Sequence, residues 1–572
     1  MDKPNQKGDF RPNPNKRDEE RQHMALTRPY PWEASYPAGM RWDAPYTRST
    51  LPELLAKAAS DHQDRPAIEF RDRQISYNEL ARRAALAAAG FHRLGLKRGD
   101  TVAFYLHNTP YHPIAFFGAF QAGLRVVLLS PLDAPRVLAH KLKDSGARTL
   151  LSTNIPGMLQ VAERLIAEGH TDRLIIGEDE AWGTPSPGLP LPATAIPWSS
   201  FEGGDPPPDP GLTPDDVACL QYTGGTTGLP RAAILTHGNL TAAISMLNNW
   251  SFTKDRPYGV DDRVIGVLPL FHIYALTGVL LRSIVSGTEI LLRPRFDIAT
   301  TLDDIERKRA TSFPGVPTMW IALAGVPDLD RHDFSSLRFA GSGGAPLPAE
   351  IATRIEALTG CRLGGGWGMT ETSPIGALIP GDVPYRPGLI GLPVPGLVMR
   401  IVSLDDPTVE LRPNERGEIA IQGPNVTLGY YNRPDENAKA FVDGWFLTGD
   451  VGHMDENGFF FLVDRKKDMI ISGGFNVYPA MIEDAVYEHP DVAECAVIGI
   501  PDAYRGQAAK VFVALRPGAD EITYDALKDF LKDRVGRHEM PVSLEIRDSL
   551  PKTPVGKLSR KELADEENSR TA

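Results

Sequence analysis

The chain has 572 residues, 42% of them hydrophobic and 23% charged, with 61 basic against 73 acidic side chains and a net charge of -12. That length exceeds a single hydrophobic core and predicts several domains or subdomains, in a composition ordinary for a soluble globular enzyme. The acidic balance argues against a general nucleic-acid or anionic-membrane binder, while a local basic patch for a phosphorylated ligand stays open.

Residues 1–22, MDKPNQKGDFRPNPNKRDEERQ, lack an apolar run. They are read as part of a disordered tail, residues 1–28, and not as a signal peptide. Residues 51–59 and 76–95 have helical apolar spacing, and residues 101–106 and 125–129 read as buried strands. Strands alternating with helices predict mostly parallel sheets covered on both faces. Residues 205–214, DPPPDPGLTP, form a proline-rich joint and a candidate subdomain border.

The stretch that follows, residues 219–240, reads CLQYTGGTTGLPRAAILTHGNL. Thr223, Gly224, Gly225, Thr226 and Thr227 combine backbone freedom with hydroxyl donors, a composition suited to phosphate. It is not a Walker loop, because Gly228 is followed by Leu229, Pro230 and Arg231 where that motif needs Gly-Lys-Ser/Thr opening a helix. Residues 232–236 look like a strand, so the loop reads either as a phosphate cradle or as an ordinary tight turn. Residues 264–281 carry no formal charge and are just long enough to raise a membrane span. Pro269, His272 and Gly278 interrupt them, and a strand over 264–268, a bend and a buried helix explain the run better.

After Asp464 the character changes. The charged cluster 464–467 (DRKK) suits a hinge, and beyond it a helix-like MIEDAVYEHP, a strand-like AECAVIGI, a strand over 508–515 and a helix over 524–535 predict a small α+β domain. The polar tail beyond Lys561 is expected to fray. Cys219, Cys361 and Cys495 are widely spaced and odd in number, which supports neither a disulfide framework nor a zinc site and fits a reducing cytoplasm.

Five more segments carry special backbone or charge chemistry: GSGGAPLP (341–348), GGGWGMTET (364–372), GWFLTGD (444–450), DRKKDMIISGGFNVYP (464–479) and LPKTPVGKLSRKEL (550–563). Each alone is weak. In this order behind the Gly/Thr loop, they make the chain from about residue 51 to 563 resemble the adenylate-forming superfamily of acyl-CoA synthetases, peptide-synthetase adenylation domains and beetle luciferases. The resemblance implies an α/β protein. Its large N-terminal domain, residues 29–466, would hold helix-covered mixed sheets plus a distorted β-barrel, and a small mobile α+β domain, residues 467–572, would follow. It also implies that a carboxylate attacks the α-phosphate of ATP to give an acyl adenylate and pyrophosphate, after which the thiol of coenzyme A displaces AMP.

The same resemblance assigns roles. Residues 223–231 would hold the β- and γ-phosphates, with Arg231 standing where lysine is common and adding a forked donor. Lys557, Glu371 and Thr226 are the candidate catalytic residues, Lys557 against the α-phosphate and Glu371 as the carboxylate linked to Mg2+. Trp367 stands where relatives place tyrosine or phenylalanine on the adenine face, and Gly366, Gly368, Met369 and Thr370 belong to the same nucleotide-binding segment. Gly343, Gly344, Ala345 and Pro346 would line the other face of the base. Asp450 would accept the ribose hydroxyls with Arg465 beside it, and His272 would sit by the acyl carboxylate. Lys467 would be the pivot, and Ser472, Gly473 and Gly474 would line the passage for the pantetheine arm. One departure is His538-Glu539 before Met540-Pro541, where relatives often carry Tyr-Lys; it puts any CoA phosphate contact there in doubt.

The chain ends soon after Lys557 without a carrier-protein domain, so a free-standing CoA ligase is expected in place of a peptide-synthetase module. The motif flavour resembles bacterial medium- and long-chain fatty-acid CoA ligases and, as an alternative, ligases of dicarboxylic acids. The competing classes are a fatty acyl-AMP ligase serving a carrier protein, a luciferase-like oxygenase and a non-catalytic acyl-adenylate sensor. Lys557 also lies in a setting resembling sites silenced by a lysine acetyltransferase, since acetylation removes the charge. No motif marks an oligomer interface, and a homodimer is left open.

Overall fold

The computed structural model describes residues 28–183, 188–223, 230–250, 258–344, 347, 349–384, 386–472, 475–502, 504–553 and 558–571. Of the segments singled out above, Gly224, Gly225, Thr226, Thr227, Ala345, Pro346, Gly473, Gly474 and Lys557 lie outside them, as does the tail except for Arg28. Arg28 bonds Glu33 at 2.9 Å and Asp43 at 3.1 Å.

Two seven-stranded, mostly parallel sheets build the larger part. In the first, Thr101–Tyr105 and Arg125–Leu129 pair in parallel at its centre, and Val217–Thr223 pairs with Arg125–Leu129. These strands read as continuous apolar runs because helices cover both faces, as predicted. The edge strand Arg231–Thr236 turns back antiparallel on Val217–Thr223, with Thr223 opposite Arg231, so the Gly/Thr segment connects two strands of a hairpin. The second sheet places Arg263–Gly266, Ser312–Gly315, Phe339–Ser342 and Leu363–Gly364 side by side in parallel.

Helix Tyr77–Arg93 starts on Ser76, whose Oγ accepts from the Glu79 amide at 3.2 Å, an N-cap that satisfies one orphan donor. It packs on helix Tyr111–Gln121, every described residue of which is buried except the last. Gly118 makes that approach feasible: a Cβ there would lie 2.7 Å from the Ala84 carbonyl oxygen.

A third sheet of eight antiparallel strands includes Leu389–Pro393, Gly417–Gln422, Trp445–Met454 and Phe460–Arg465. Its described strands run as an open path. The fourth sheet has five strands, led by the long hairpin Val492–Asp502 and Gly506–Leu515, with Ser543–Ile546 added in parallel.

Two local expectations need correction. The helix expected over 524–535 ends at Leu531. The tail expected to fray beyond Lys561 forms helix Arg560–Thr571, because Leu563 is fully buried in a small cluster with Phe512 and Leu550. Arg560 also anchors it: its guanidinium bonds Glu483 at 2.8 Å and Asp464 at 2.8 Å, and Asp464 accepts the Ala480 amide at 2.7 Å. No helix among the described residues is long and apolar enough to cross a membrane, and residues 264–281 resolve into strand Arg263–Gly266, helix Ile273–Ala275 and the wide-turned π-helix Leu276–Leu281.

Three imidazoles are buried in the larger part, and burial pushes His107 down to about 4, His112 to about 3 and His237 to about 4. Each is depressed from about 6.5 in the unfolded chain, so the unfolded state binds more protons once the pH drops below that value. Stability is therefore fully present above about pH 6.5 and is lost as the pH falls toward 4 and then 3. Each histidine contributes a slope of up to about 1.36 kcal/mol per pH unit in its window. Denaturant midpoints measured at pH 7, 6 and 5 are expected to fall steadily, and more shallowly in His112→Leu; a flat profile in the parent chain would contradict this account.

Candidate active site

The parallel strands of the second sheet end at one opening, where side chains leaving a switch in strand order leave room for a ligand. A cavity of about 1030 Å³ lies there. Its walls include Pro269 after Arg263–Gly266, Val316 after Ser312–Gly315, Gly343 and Gly344 after Phe339–Ser342, and Gly365 after Leu363–Gly364. Thr223 and Arg231, the two ends of the hairpin turn, open onto the same space, as do Gly366, Trp367, Gly368, Met369, Thr370 and Glu371. Arg465, at the end of strand Phe460–Arg465 of the third sheet, and Lys467 just beyond it line the same space.

Gly343 is required by its neighbour: a Cβ there would come 2.9 Å from the ring of Tyr274. Tyr274, a residue sequence reasoning passed over, lines the cavity, and burial pushes its phenol up to about 12. His272 stands on the wall two residues earlier and caps the short helix, its Nδ1 accepting from the Tyr274 amide at 3.3 Å.

Glu371 is 3% exposed. Its Oε1 accepts from the Tyr430 hydroxyl at 2.7 Å, and Arg231 Nη2 donates to that hydroxyl at 2.8 Å. The Arg231 guanidinium also lies 3.7 Å from the Tyr430 ring centroid and pairs with Glu436. Burial, with Glu371 adding to it, raises the Tyr430 phenol far above its ordinary range, so it stays a donor. Neither Tyr430 nor Glu436 was singled out from sequence, where LGYYNRPDE carries no phosphate-binding composition.

Trp367 and Asp450 form one unit. The indole N–H donates to Asp450 Oδ2 at 2.8 Å, and Arg465 Nε lies 2.6 Å from Oδ1. Asp450 is 1% exposed and stands behind the cavity wall, while Trp367, Gly449 and Arg465 are on it. Burial raises the Asp450 carboxyl, and Arg465 opposes that. Lys467 lines the cavity with its ammonium pushed down by burial. Ser472 is buried in the fourth sheet, opposite Phe475 and away from the cavity wall.

Among the described residues no cluster of three or more acidic, His or Cys ligands is present. A single buried carboxylate beside a phosphate-type loop nevertheless fits Mg2+, which takes one or two protein carboxylates and fills its remaining positions with phosphate oxygens and water.

The model of the AMP-binding enzyme family matches residues 55–431, and that of the AMP-binding enzyme C-terminal domain matches residues 481–557. The chain belongs to the AMP-binding enzyme family. Within this adenylate-forming superfamily it is 36% identical over 564 residues to a long-chain-fatty-acid–CoA ligase of Bacillus subtilis (strain 168), covering 94% of this chain and 98% of the relative. It is 38% identical over 501 residues to a feruloyl-CoA synthase of an Amycolatopsis species, covering 87% and 95%. Among solved structures, ATP-bound MatB from Rhodopseudomonas palustris superposes with a TM-score of 0.79 at 27% identity, covering 91% of this chain and 100% of that one. The first matched segment takes in the first two sheets and part of the third, and the second takes in the long hairpin and Ser543–Ile546 of the fourth.

Proposed function

We propose that this protein is an ATP-dependent, AMP-forming acyl-CoA ligase acting on acids with an extended apolar chain. The observation that carries the reading is the near full-length similarity to CoA ligases, joined to one cavity that links a hairpin of phosphate-binding composition to an apolar wall. A long-chain fatty acid is the class its relatives' names support.

In the first step a carboxylate oxygen forms a bond to the α-phosphorus while the bond to the bridging oxygen of the β-phosphate breaks, and pyrophosphate leaves. Two anions must approach, so positive charge and N–H donors are needed where charge builds. In this reading residues 223–227 and Arg231 hold the leaving phosphates, and Lys557 meets the α-phosphate. Glu371 would hold Mg2+, which supplies neutralising charge on the phosphate oxygens when bound. Trp367 with Gly343 and Gly344 would enclose the base, and His272 would orient the acid's carboxylate. In the second step the CoA thiol loses its proton, its sulfur bonds the acyl carbon and AMP departs.

The domain boundary belongs to this proposal: residues 29–466 bind the acid and nucleotide, residues 467–572 carry Lys557, and Lys467 is the pivot. After rotation, Ser472, Gly473 and Gly474 would admit the pantetheine arm, glycines leaving room for a narrow ligand. The setting is cytoplasmic, in keeping with three buried free cysteines.

Purified protein given ATP, Mg2+, CoA and fatty acids of increasing length is expected to release AMP and pyrophosphate in equal amounts, dependent on both acid and CoA. AMP release indifferent to CoA would favour the carrier-protein ligase, and no acid-dependent pyrophosphate at all would overturn the reading.

A further inference from the structure

The wall that carries His272 is a buried stretch of backbone with no ladder to hold it. Strand Arg263–Gly266 ends, residues 267–271 follow outside any helix or strand, and helix Ile273–Ala275 begins only after His272. Val267, Leu268, Leu270 and Phe271 are all buried, so the N–H and C=O groups here have to be met by protein. Two amide side chains meet them. Asn108 turns its whole amide to the first half of the stretch: Nδ2 donates to the Gly266 carbonyl at 3.2 Å and to the Leu268 carbonyl at 2.9 Å, and Oδ1 accepts from the Leu270 amide at 2.8 Å. Gln221 holds the last residue before His272, its Nε2 donating to the Phe271 carbonyl at 2.9 Å.

Both side chains come from the first sheet, whereas the stretch they hold continues a strand of the second. Asn108 lies three residues beyond strand Thr101–Tyr105, and Gln221 lies on Val217–Thr223, two residues before Thr223. Leu268, Pro269, His272 and Thr223 line the cavity, while Asn108 and Gln221, 2% and 5% exposed, stand behind the wall. One run of contacts therefore leads from the hairpin of phosphate-binding composition through Gln221 and Phe271 to His272. Gln221 Oε1 is buried without a partner among the described residues. The bond gained at Nε2 is set against that unmatched oxygen, so stability alone is a weak reason for an amide here. What the bond does fix is where the Phe271 carbonyl, and with it the next residue, stands relative to the hairpin.

We propose that Gln221 is a positioning residue of the adenylation step. Asn108 shapes the stretch before His272, and Gln221 ties it to the phosphate hairpin, setting the line along which the acid's carboxylate oxygen meets the α-phosphorus. Transfer along that line tolerates little error, and a displacement of about 1 Å can cost on the order of 10²-fold in rate. The proposal rests on the ligase reading and on the place given there to His272.

The test is a double-mutant cycle on acid-dependent pyrophosphate release with ATP, Mg2+ and a fatty acid. Gln221→Met keeps most of the side chain's bulk and removes the donor. It is expected to lower kcat by about tenfold while KM for ATP stays within about twofold of the parent. Once His272→Ala is already present, the same change is expected to cost less than about twofold. An unstable enzyme would lose the same factor in both backgrounds, so equal factors overturn the inference. A Gln221→Met or His272→Ala enzyme with the parent rate, or a loss confined to KM for ATP, also overturns it. Gln221→Glu, which keeps the length of the side chain and sets an acceptor against the Phe271 carbonyl, goes through the same cycle with the same expectation, so the outcome does not hang on the folding of one variant. In each of these cases pyrophosphate release by the parent enzyme leaves the ligase reading standing. No acid-dependent pyrophosphate from the parent overturns both.

Discussion

Lys557→Ala is expected to cut acid-dependent pyrophosphate release by about 10²- to 10³-fold while conversion of a supplied acyl adenylate to acyl-CoA proceeds near the parent rate. The physical reason is that a preorganised ammonium helps only where negative charge accumulates, and in this reaction that is the α-phosphate during adenylation. The surroundings are built for precise delivery. Lys552 and Leu558 pair across the segment that carries Lys557, Lys552 is bound to Glu494, and Arg560 fixes the next helix to Glu483 and Asp464. Removing the ammonium leaves those anchors in place. The measurement is paired: pyrophosphate release with acid and ATP, and thioester formation from synthetic adenylate and CoA. Equal loss of both would mean that Lys557 serves folding or both steps alike, and the two-arrangement mechanism would fall.

Glu371→Gln is expected to lower adenylation by about 10²-fold or more and to raise the Mg2+ concentration needed for half-maximal rate. Glutamine keeps the shape, and its amide oxygen can still accept from Tyr430. What it lacks is the charge that holds a hard cation against phosphate. Tyr430→Phe breaks the relay from Arg231 to Glu371 without removing the carboxylate, and a smaller loss of about tenfold is expected, as for partners that orient a metal ligand. Thermal unfolding of both variants controls for the buried position. A Glu371→Gln enzyme with unchanged rate and unchanged Mg2+ response would remove Glu371 from the chemistry.

Much of the fold was legible because periodicity and burial agree. The runs at 101–106, 125–129 and 232–236 are apolar but for Thr101, Arg125 and Thr236, and each forms a strand of the first sheet. The tail helix was missed because a single buried leucine in a polar sequence carries no period, yet Leu563 and the paired Arg560 suffice to dock it. At the site, motif order found Glu371, Trp367 and the hairpin ends, all of which line the cavity. Contacts between distant segments were not legible. The bond from Trp367 to Asp450 depends on segments 83 positions apart being folded into one sheet, and the path from Arg231 through Tyr430 to Glu371 joins three separate segments.

The joint around Asp464 has a mechanical meaning. Asp464 lies on Phe460–Arg465, a strand of the third sheet, yet its partners Arg560 and Ala480 belong to the segment beyond Lys467. Any turn about Lys467 has to pull a guanidinium and a helix amide off one buried carboxylate, which then needs water or new donors. Such a joint is no free swivel. In the proposed rotation it would work as a detent with a preferred stop, and the firmness of that stop would set how long the Lys557 segment dwells on one side before the chain could serve the other.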